Sequence, residues 1–445
     1  GILVVAASGN AGQIPYITSA PAVYEGAISV AATDALPGIP TASLALSSGP
    51  TLSVQNSNSA VFANGTAYSV RVLRNADGTV SLGCNPSEYD PAVTGVSLAG
   101  KMVVTLRGTC ARTFRAGAAQ HFGAAAAAMI NSSPGLPPYE GPIAGGASDP
   151  NAGNIYEPVV IPFFGVAQAD SAALSGPAGG PAPASAVATS TGVAANAGFE
   201  RIASFSSGGP RIGDSVLRPG ITAPGASVIS AASGTGNGFQ ILSGTSMATP
   251  NVAGVAALTK QAHPGWSQAD LRAAIVQTAS PTMMQDLLQR NEGAGLAQAQ
   301  SATATQAIVR MPDESVSFGF ADLLTDFSAT KTVTVHNAGP KAVQFNITAA
   351  KNSGPAGTTV TLPPSVIVNA NADATFPVRL DVPAAAVGGG TGFQDIGGYI
   401  QLTPANSRLN GNVKLSVPYY LVAHSRSNLG VSTAPGGIMN FSNSG

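Results

Sequence analysis

Residues 1–7, GILVVAA, are apolar at every position, and the turn cluster Ser8-Gly9-Asn10-Ala11-Gly12 follows them. A second apolar run, AISVAA at 27–32, completes a strand–turn–strand pattern. Continuous rather than alternating runs predict parallel strands covered on both faces, so residues 1–7 read as a buried strand already under way. From about residue 36 to 191 the character changes. KMVVTL at 101–106 predicts a strand, and Phe114, Ala118 and Phe122, spaced by four, predict a short helix that Gly123 ends. Residues 125–131 predict the next strand, and the Ala/Gly/Pro/Ser tract at 176–191 reads as a connector.

The α/β character returns at 198–304. Residues 249–262 are apolar nearly all round, which predicts a fully buried helix ending at His263, before Pro264. Ser267 opens another helix with Asp270 three positions on, and Leu271, Ala274, Ile275 and Thr278 form its inner stripe. After Met311 the period becomes two. Val333/Val335, Val343/Phe345/Ile347, Phe376/Val378/Leu380/Val382 and Val413/Leu415/Val417 alternate with polar positions, and turns such as Ala338-Gly339-Pro340 separate them. That pattern predicts an all-β sandwich. The fold class is therefore α/β, with part of a doubly wound parallel sheet, an insert, and a C-terminal sandwich.

Composition narrows the function. Of 445 residues 44% are hydrophobic and only 9% charged, which excludes a charged disordered chain and a coiled coil. Lys plus Arg is 20 against 21 for Asp plus Glu, with no basic stripe, which argues against nucleic acid as a partner. The longest apolar run, 122–130, is well short of the ~20 residues of a membrane span. Cys84 and Cys110 lack the spacing of a zinc site and read either as a disulfide or as two buried thiols. With the low charge and the abundant small residues they fit a secreted protein. No metal site and no cofactor is expected. The chain opens on Gly1 in an apolar strand, with no signal peptide, which reads as a truncated or processed product.

The candidate chemistry is at Gly244-Thr245-Ser246-Met247-Ala248-Thr249-Pro250. A nucleophilic serine at a helix start gains free N–H groups and the positive dipole end, and small neighbours admit a substrate backbone. Pro250 falls in or near the first turn, where a missing N–H matters least. Taken alone, Ser246 reads as an N-cap and Asn10 as a turn asparagine.

The heptapeptide resembles the nucleophile motif of the subtilisin-like serine proteases, the subtilases. The Ser8-Gly9-Asn10 turn resembles their strand with the oxyanion asparagine, and Ala203-Ser204-Phe205-Ser206 the segment after the usual insertion point. Residues 218–225, RPGITAPG, resemble their K-P-D-I-T-A-P-G, and Gly293-Ala294-Gly295-Leu296 their later Q-G-A-G stretch. The resemblance implies a secreted serine endopeptidase acting on proteins or peptides. Ser246 would be the nucleophile, and Asn10 with the Ser246 N–H the oxyanion hole. Ala7, Ser8, Gly9, Gly244 and Thr245 would bind substrate. Asn251 stands where the family has histidine, and Gly220 where it has aspartate, with effects expected on local packing only.

Cys84, residues 100–110 and residues 124–131 resemble the protease-associated (PA) domain, whose implied role is substrate selection. Both cysteines lie within it, and a Cys84–Cys110 bond is expected. The sandwich is similar to a fibronectin type III-like domain. The implied division is 1–35 with 197–305 as catalytic domain, 36–191 as PA-like insert, 308–424 as sandwich, and 425–445 as tail or start of a further domain. His121, His263, His336 and His424 all lie outside the family's histidine context, so the aspartate and histidine of the triad are expected upstream of Gly1, leaving this chain inert alone. An α/β-hydrolase would need G-x-S-x-G, and residue 248 is Ala. The alternative of another class is a noncatalytic binding or adhesive protein on a degenerate protease scaffold.

Overall fold

The computed structural model describes residues 2–143, 158–177, 180–233, 236–388 and 392–426, and the backbone of 429–434 and 438–443. The chain divides into two compact units: Gly1–Thr33 with Glu200–Gly225 and Gly244–Gly445, and Asp34–Phe199 with Ala226–Ser243.

The second unit is built on a closed seven-stranded barrel. Its order is Gly38–Leu46, Thr51–Asn56, Phe163–Val166, Ala126–Ile130, Lys101–Leu106, Thr66–Val72 and Ser185–Ala195, which closes on the first strand. Strand Lys101–Leu106 shows why the sequence run is continuous. Met102 and Val104 point into the barrel beside Val54, Ala128 and Phe164. Val103 points outward with Ala127 and Met129, under Phe114 and Ala118 of helix Arg112–His121. Both faces are covered, so both parities are apolar. Gly123, at φ +88, follows the helix as its glycine stop.

Residues 176–191 were expected to be a connector; instead Ser185–Ala195 is a barrel strand, pairing with Gly38–Leu46 and Thr66–Val72. Main-chain bonds do not require large side chains, and the inward Ala186 and Ala188 are fully buried. The Cys84 and Cys110 sulfurs are bonded, with Cα atoms 5.6 Å apart. Buried Arg115 braces that bridge, donating from Nε to the Leu82 carbonyl and from Nη1 to those of Cys110 and Ala111.

In the first unit, strands Val4–Ala7, Ala27–Asp34 and Ile221–Ala226 form a three-stranded sheet in that order. The first two are parallel, Val4 opposite Ala27. Strand Ala27–Asp34 is buried along almost its whole length. The expectation of a buried first strand fails: Ile2 is 86% and Val4 42% exposed, because Val4–Ala7 lies at the sheet edge. Helix Thr245–Ala262 packs on this strand, and also on helices Gln268–Gln277 and Ala299–Ala304. It is not fully buried either. Thr245, Ala248, Val252 and Thr259 form its buried stripe, while Leu258 is 49% exposed, since these neighbours cover one side only. Ser267 caps Gln268–Gln277 as expected, its Oγ accepting from the Asp270 N–H.

Beyond residue 306 the same unit carries two sheets. One has the order Ala307–Arg310, Phe327–Asn337, Ala372–Val382, Thr359–Thr361. The other has the order Val316–Leu323, Leu415–Ser425, Phe393–Pro404, Val343–Ser353, Ser365–Val368. Val335, Phe345, Val378, Leu402, Val417 and Tyr419 belong to one core drawn from both sheets. Strand Leu415–Ser425 does not keep the simple alternation, because its other face buries Tyr420 and Val422 against Leu217. Residues 429–434 and 438–443 pair antiparallel. No helix among the described residues is long and apolar enough to cross a membrane.

Candidate active site

Strand Ile221–Ala226 and helix Thr245–Ala262 meet at Gly225. A Cβ there would lie 2.5 Å from Ala32 Cβ and 2.9 Å from the Gly244 carbonyl, so only glycine allows this approach. The Gly244 N–H donates to the Gly225 carbonyl at 2.8 Å, which seats the helix start against the strand.

Ser246 is the second residue of that 18-residue helix and is exposed. Its N–H has no hydrogen-bond partner among the described residues. That is the position of a free donor at the positive end of a helix dipole. Pro250 lies inside the helix, in the second turn rather than the first. Its ring removes the N–H that would bond the Ser246 carbonyl. On either side Thr249 Oγ1 donates to the Thr245 carbonyl at 2.9 Å and Asn251 Nδ2 to that of Met247 at 3.1 Å. Asn251 also donates to the Pro224 carbonyl at 2.9 Å, so the residue that departs from the family pattern ties the helix to strand Ile221–Ala226.

The strand Val4–Ala7 delivers the opposite wall. The Ser8 N–H donates to the Val30 carbonyl, and Gly9 turns at φ +110, where a side chain would also meet Ser207 and Ser19. Asn10 follows, exposed, with its Oδ1 accepting from the Thr245 N–H at 2.9 Å and from Thr245 Oγ1 at 3.1 Å. The same hydroxyl accepts from the Gly9 N–H at 3.2 Å. Anchoring Oδ1 leaves Nδ2 as the outward donor. It lies 3.5 Å from where a Cβ on Gly244 would stand, on the edge beside Ser246.

The structure thus brings Asn10, Gly9, Gly244, Thr245 and Ser246 together, with Ser8 and Ala7 behind them. Thr245 and Ser8 are fully buried, so their side chains shape the site from beneath rather than facing a substrate. Residues 203–206, singled out in the sequence by resemblance alone, and Ser207 after them hold the Asn10 loop, a role the sequence did not show. Ala11 N–H donates to Ser207 Oγ at 3.0 Å, Gly12 N–H to the Phe205 carbonyl, and Ser207 N–H to the Gly9 carbonyl. The serines around Phe205 were the available signal, since buried small polar residues need such partners.

His121 belongs to the barrel unit, packed edge-on against Phe122. In the unit that holds Ser246, His263 stacks on Trp266, His336 pairs with Asp373 at 2.6 Å and His424 with Asp322 at 2.8 Å. None of these three hydrogen-bonds Ser246 among the described residues. No cluster of three His, Cys, Asp or Glu able to hold a metal occurs among the described residues.

The helix start that carries Ser246 faces an asparagine whose Oδ1 is anchored, and a model of the Subtilase family (Peptidase_S8) matches residues 1–302. The chain belongs to the subtilase family. Two relatives from Arabidopsis thaliana are the subtilisin-like protease SBT3.5, 54% identical over 84 residues, and SBT3.15, 46% identical over 100 residues. These matches take in 18% and 21% of this chain, and only 11% and 13% of the relatives' own lengths. Among solved structures, the prenylagaramide maturation protease PagA is 29% identical over 23% of this chain and 38% of that one, with a TM-score of 0.19. The matched span of this subtilase includes Asn10 and Ser246 and runs through the barrel unit. The α/β-hydrolase reading is thereby displaced.

Proposed function

We propose that this subtilase serves a secreted serine endopeptidase, which cleaves proteins or peptides through an acyl-enzyme on Ser246. The carrying observation is the exposed Ser246 at a helix start, beside an asparagine whose Oδ1 is anchored and whose Nδ2 is free. Ser246 Oγ attacks the scissile carbonyl, its proton passes by way of the general base to the departing amine as the C–N bond breaks, and water then hydrolyses the acyl-enzyme to free the second product. The oxyanion that forms receives the Ser246 N–H and Asn10 Nδ2, donors fixed before charge develops. By the family resemblance Ala7 and Gly9, with Ser8 beneath them, would receive a large apolar side chain of the substrate.

The general base and its orienting carboxylate come from sequence outside residues 1–445, so the chain alone is inert: a serine without a base is a very weak nucleophile. The positions of His263, His336 and His424, all engaged elsewhere, support this. The barrel unit is a PA-like module that selects large substrates. The two C-terminal sheets are a fibronectin type III-like module. The bonded Cys84–Cys110 pair supports an oxidising, extracellular destination.

The test is covalent labelling of the full-length protein with a fluorophosphonate. Wild type should label and Ser246→Ala should not. Equal labelling would leave the alternative, a noncatalytic binding or adhesive protein on this scaffold.

A further inference from the structure

Arg290 ties the loop that carries Asn10 to the C-terminal sheets. Helix Gln289–Glu292 lies between them. The Arg290 carbonyl accepts from the Gly209 N–H at 2.7 Å, which fixes its backbone to the segment already holding residues 9–12. Its side chain reaches in two directions. Nη1 donates to the Gln13 carbonyl at 2.9 Å, three positions after Asn10. Nε donates to Asp395 Oδ2 at 2.6 Å, on strand Phe393–Pro404. Asp395 Oδ1 in turn accepts from the hydroxyl of Tyr420, a fully buried residue packed with Leu217. The ion pair is largely shielded, with side-chain exposures of 16% and 26%. Neighbours reinforce it. Asn291 Nδ2 approaches Gln13 Oε1, and Gln289 Nε2 donates to Asn352 Oδ1 at 3.1 Å.

We infer that Asp395 and Arg290 are positioning residues for the oxyanion hole, making the C-terminal sheets part of the catalytic apparatus rather than an appended module. This rests on the protease reading given above. The physical ground is directional. A guanidinium holds two acceptors in one plane, so fixing one nitrogen on Asp395 sets where the other holds Gln13. Gln13 closes the loop whose other end is Asn10. An oxyanion donor works only where it meets the developing charge, and small displacements are expensive in rate.

In the full-length protein, turnover of a chromogenic peptide is measured for Asp395→Asn and Arg290→Met, with Asp373→Asn, another carboxylate of the C-terminal sheets, as control. Asp395→Asn and Arg290→Met should lower kcat about tenfold, a fraction of what an ångström of misplacement costs, with KM within about twofold. The control should change neither. In an Asn10→Ala background Asp395→Asn should have no further effect, because its action passes through that side chain. Amide exchange of Ala11 and Gly12, read by mass spectrometry, should quicken in Asp395→Asn and not in the control. Should Arg290→Met fail to fold, Asp395→Asn, which keeps the shape and removes the charge, decides alone. A kcat within twofold of wild type, or an equal loss in the Asn10→Ala background, overturns the inference. If fluorophosphonate labels Ser246→Ala as well as wild type, the protease reading fails instead. Exchange then still decides the clamp, and unchanged protection at Ala11 and Gly12 overturns it.

Discussion

Thr245 and Asn10 are 235 positions apart, yet the Thr245 backbone N–H and hydroxyl both donate to one oxygen of the Asn10 side chain, at 2.9 and 3.1 Å. Two donors on Oδ1 fix the amide plane, and Nδ2 must then face the Ser246 edge. The asparagine is oriented by the residue next to Ser246, so the two halves of the candidate site are set by one side-chain oxygen.

Thr245→Val should expose the value of that contact. The isostere keeps the volume but strips the hydroxyl that Asn10 accepts from and that the Gly9 N–H donates to. Losing such partners in a shielded place costs about 1–3 kcal/mol. In the full-length protein kcat should fall about tenfold with KM nearly unchanged, the signature of an interaction made in the transition state. Thr245→Ser should restore most of the rate. Steady-state kinetics and denaturant unfolding of the three proteins check this.

Asn10→Ala removes the donor itself. The expected loss in kcat is ~10²–10³-fold, the size known for the equivalent donor of subtilisin and not a value obtained from this structure. Stability should fall as well, by about 1–3 kcal/mol, because the N–H and hydroxyl of buried Thr245 lose the oxygen they donate to. A loss in KM rather than kcat would show that Asn10 binds ground state and transition state alike.

Much of this architecture is readable in the chain and some of it is not, for identifiable reasons. Residues 101–106 and 114–123 gave strand and helix correctly because their periods follow from which faces are covered. Ser185–Ala195 was missed because a strand of Ala, Ser, Thr and Gly carries no apolar signal, only main-chain pairing. The exposure of Leu258 was unreadable, since periodicity reports that a surface is apolar and not whether anything covers it. Ser246 and Asn10 were legible only through a motif. Arg290 and Asp395, 105 positions apart and in no motif, became visible only in three dimensions.

The Cys84–Cys110 bond closes a 26-residue separation. In the chain-entropy model such a closure stabilises by about 3–4 kcal/mol. Replacing both by serine should lower the unfolding free energy of the barrel unit by that order and leave fluorophosphonate labelling of Ser246 in place. Unreduced peptide mapping should show one linked peptide pair. Two freely alkylated thiols in protein taken from its native compartment would contradict it.

Gly220, where the family pattern has aspartate, is explained by Glu314. A Cβ on Gly220 would lie 1.7 Å from Glu314 Oε2, and that carboxylate is buried beside Arg218 Nη1 at 3.5 Å. A carboxylate from the C-terminal segment occupies the room a side chain at 220 would need. Gly220→Ala should therefore destabilise by about 1–3 kcal/mol through overpacking. The double variant Gly220→Ala/Glu314→Ala should be less destabilised than the sum of the two single changes, by more than about 0.5 kcal/mol. Additive effects in a double-mutant cycle would show that the two positions do not compete for space.

Glu292 sets a pH dependence of stability. Burial pushes its carboxyl up to about 8, against the Leu288 N–H that donates to Oε2 and the nearby charge of Arg290, both of which favour the ionised form. The group starts from an ordinary value of 4.5. Between these two values the folded chain holds a proton that the unfolded chain has released. Its contribution to stability is therefore complete below about 4.5 and is lost as pH rises through about 8. At 1.36 kcal/mol per unit, the loss across that window is on the order of a few kcal/mol. Glu292→Gln keeps an oxygen for the Leu288 N–H and has no proton to lose. Denaturant unfolding at pH 5, 6, 7 and 8 should show the wild type weakening relative to Glu292→Gln at each step, with the variant the more stable at pH 8. Parallel profiles for the two proteins would mean that Glu292 titrates at its ordinary value and is ionised within the fold.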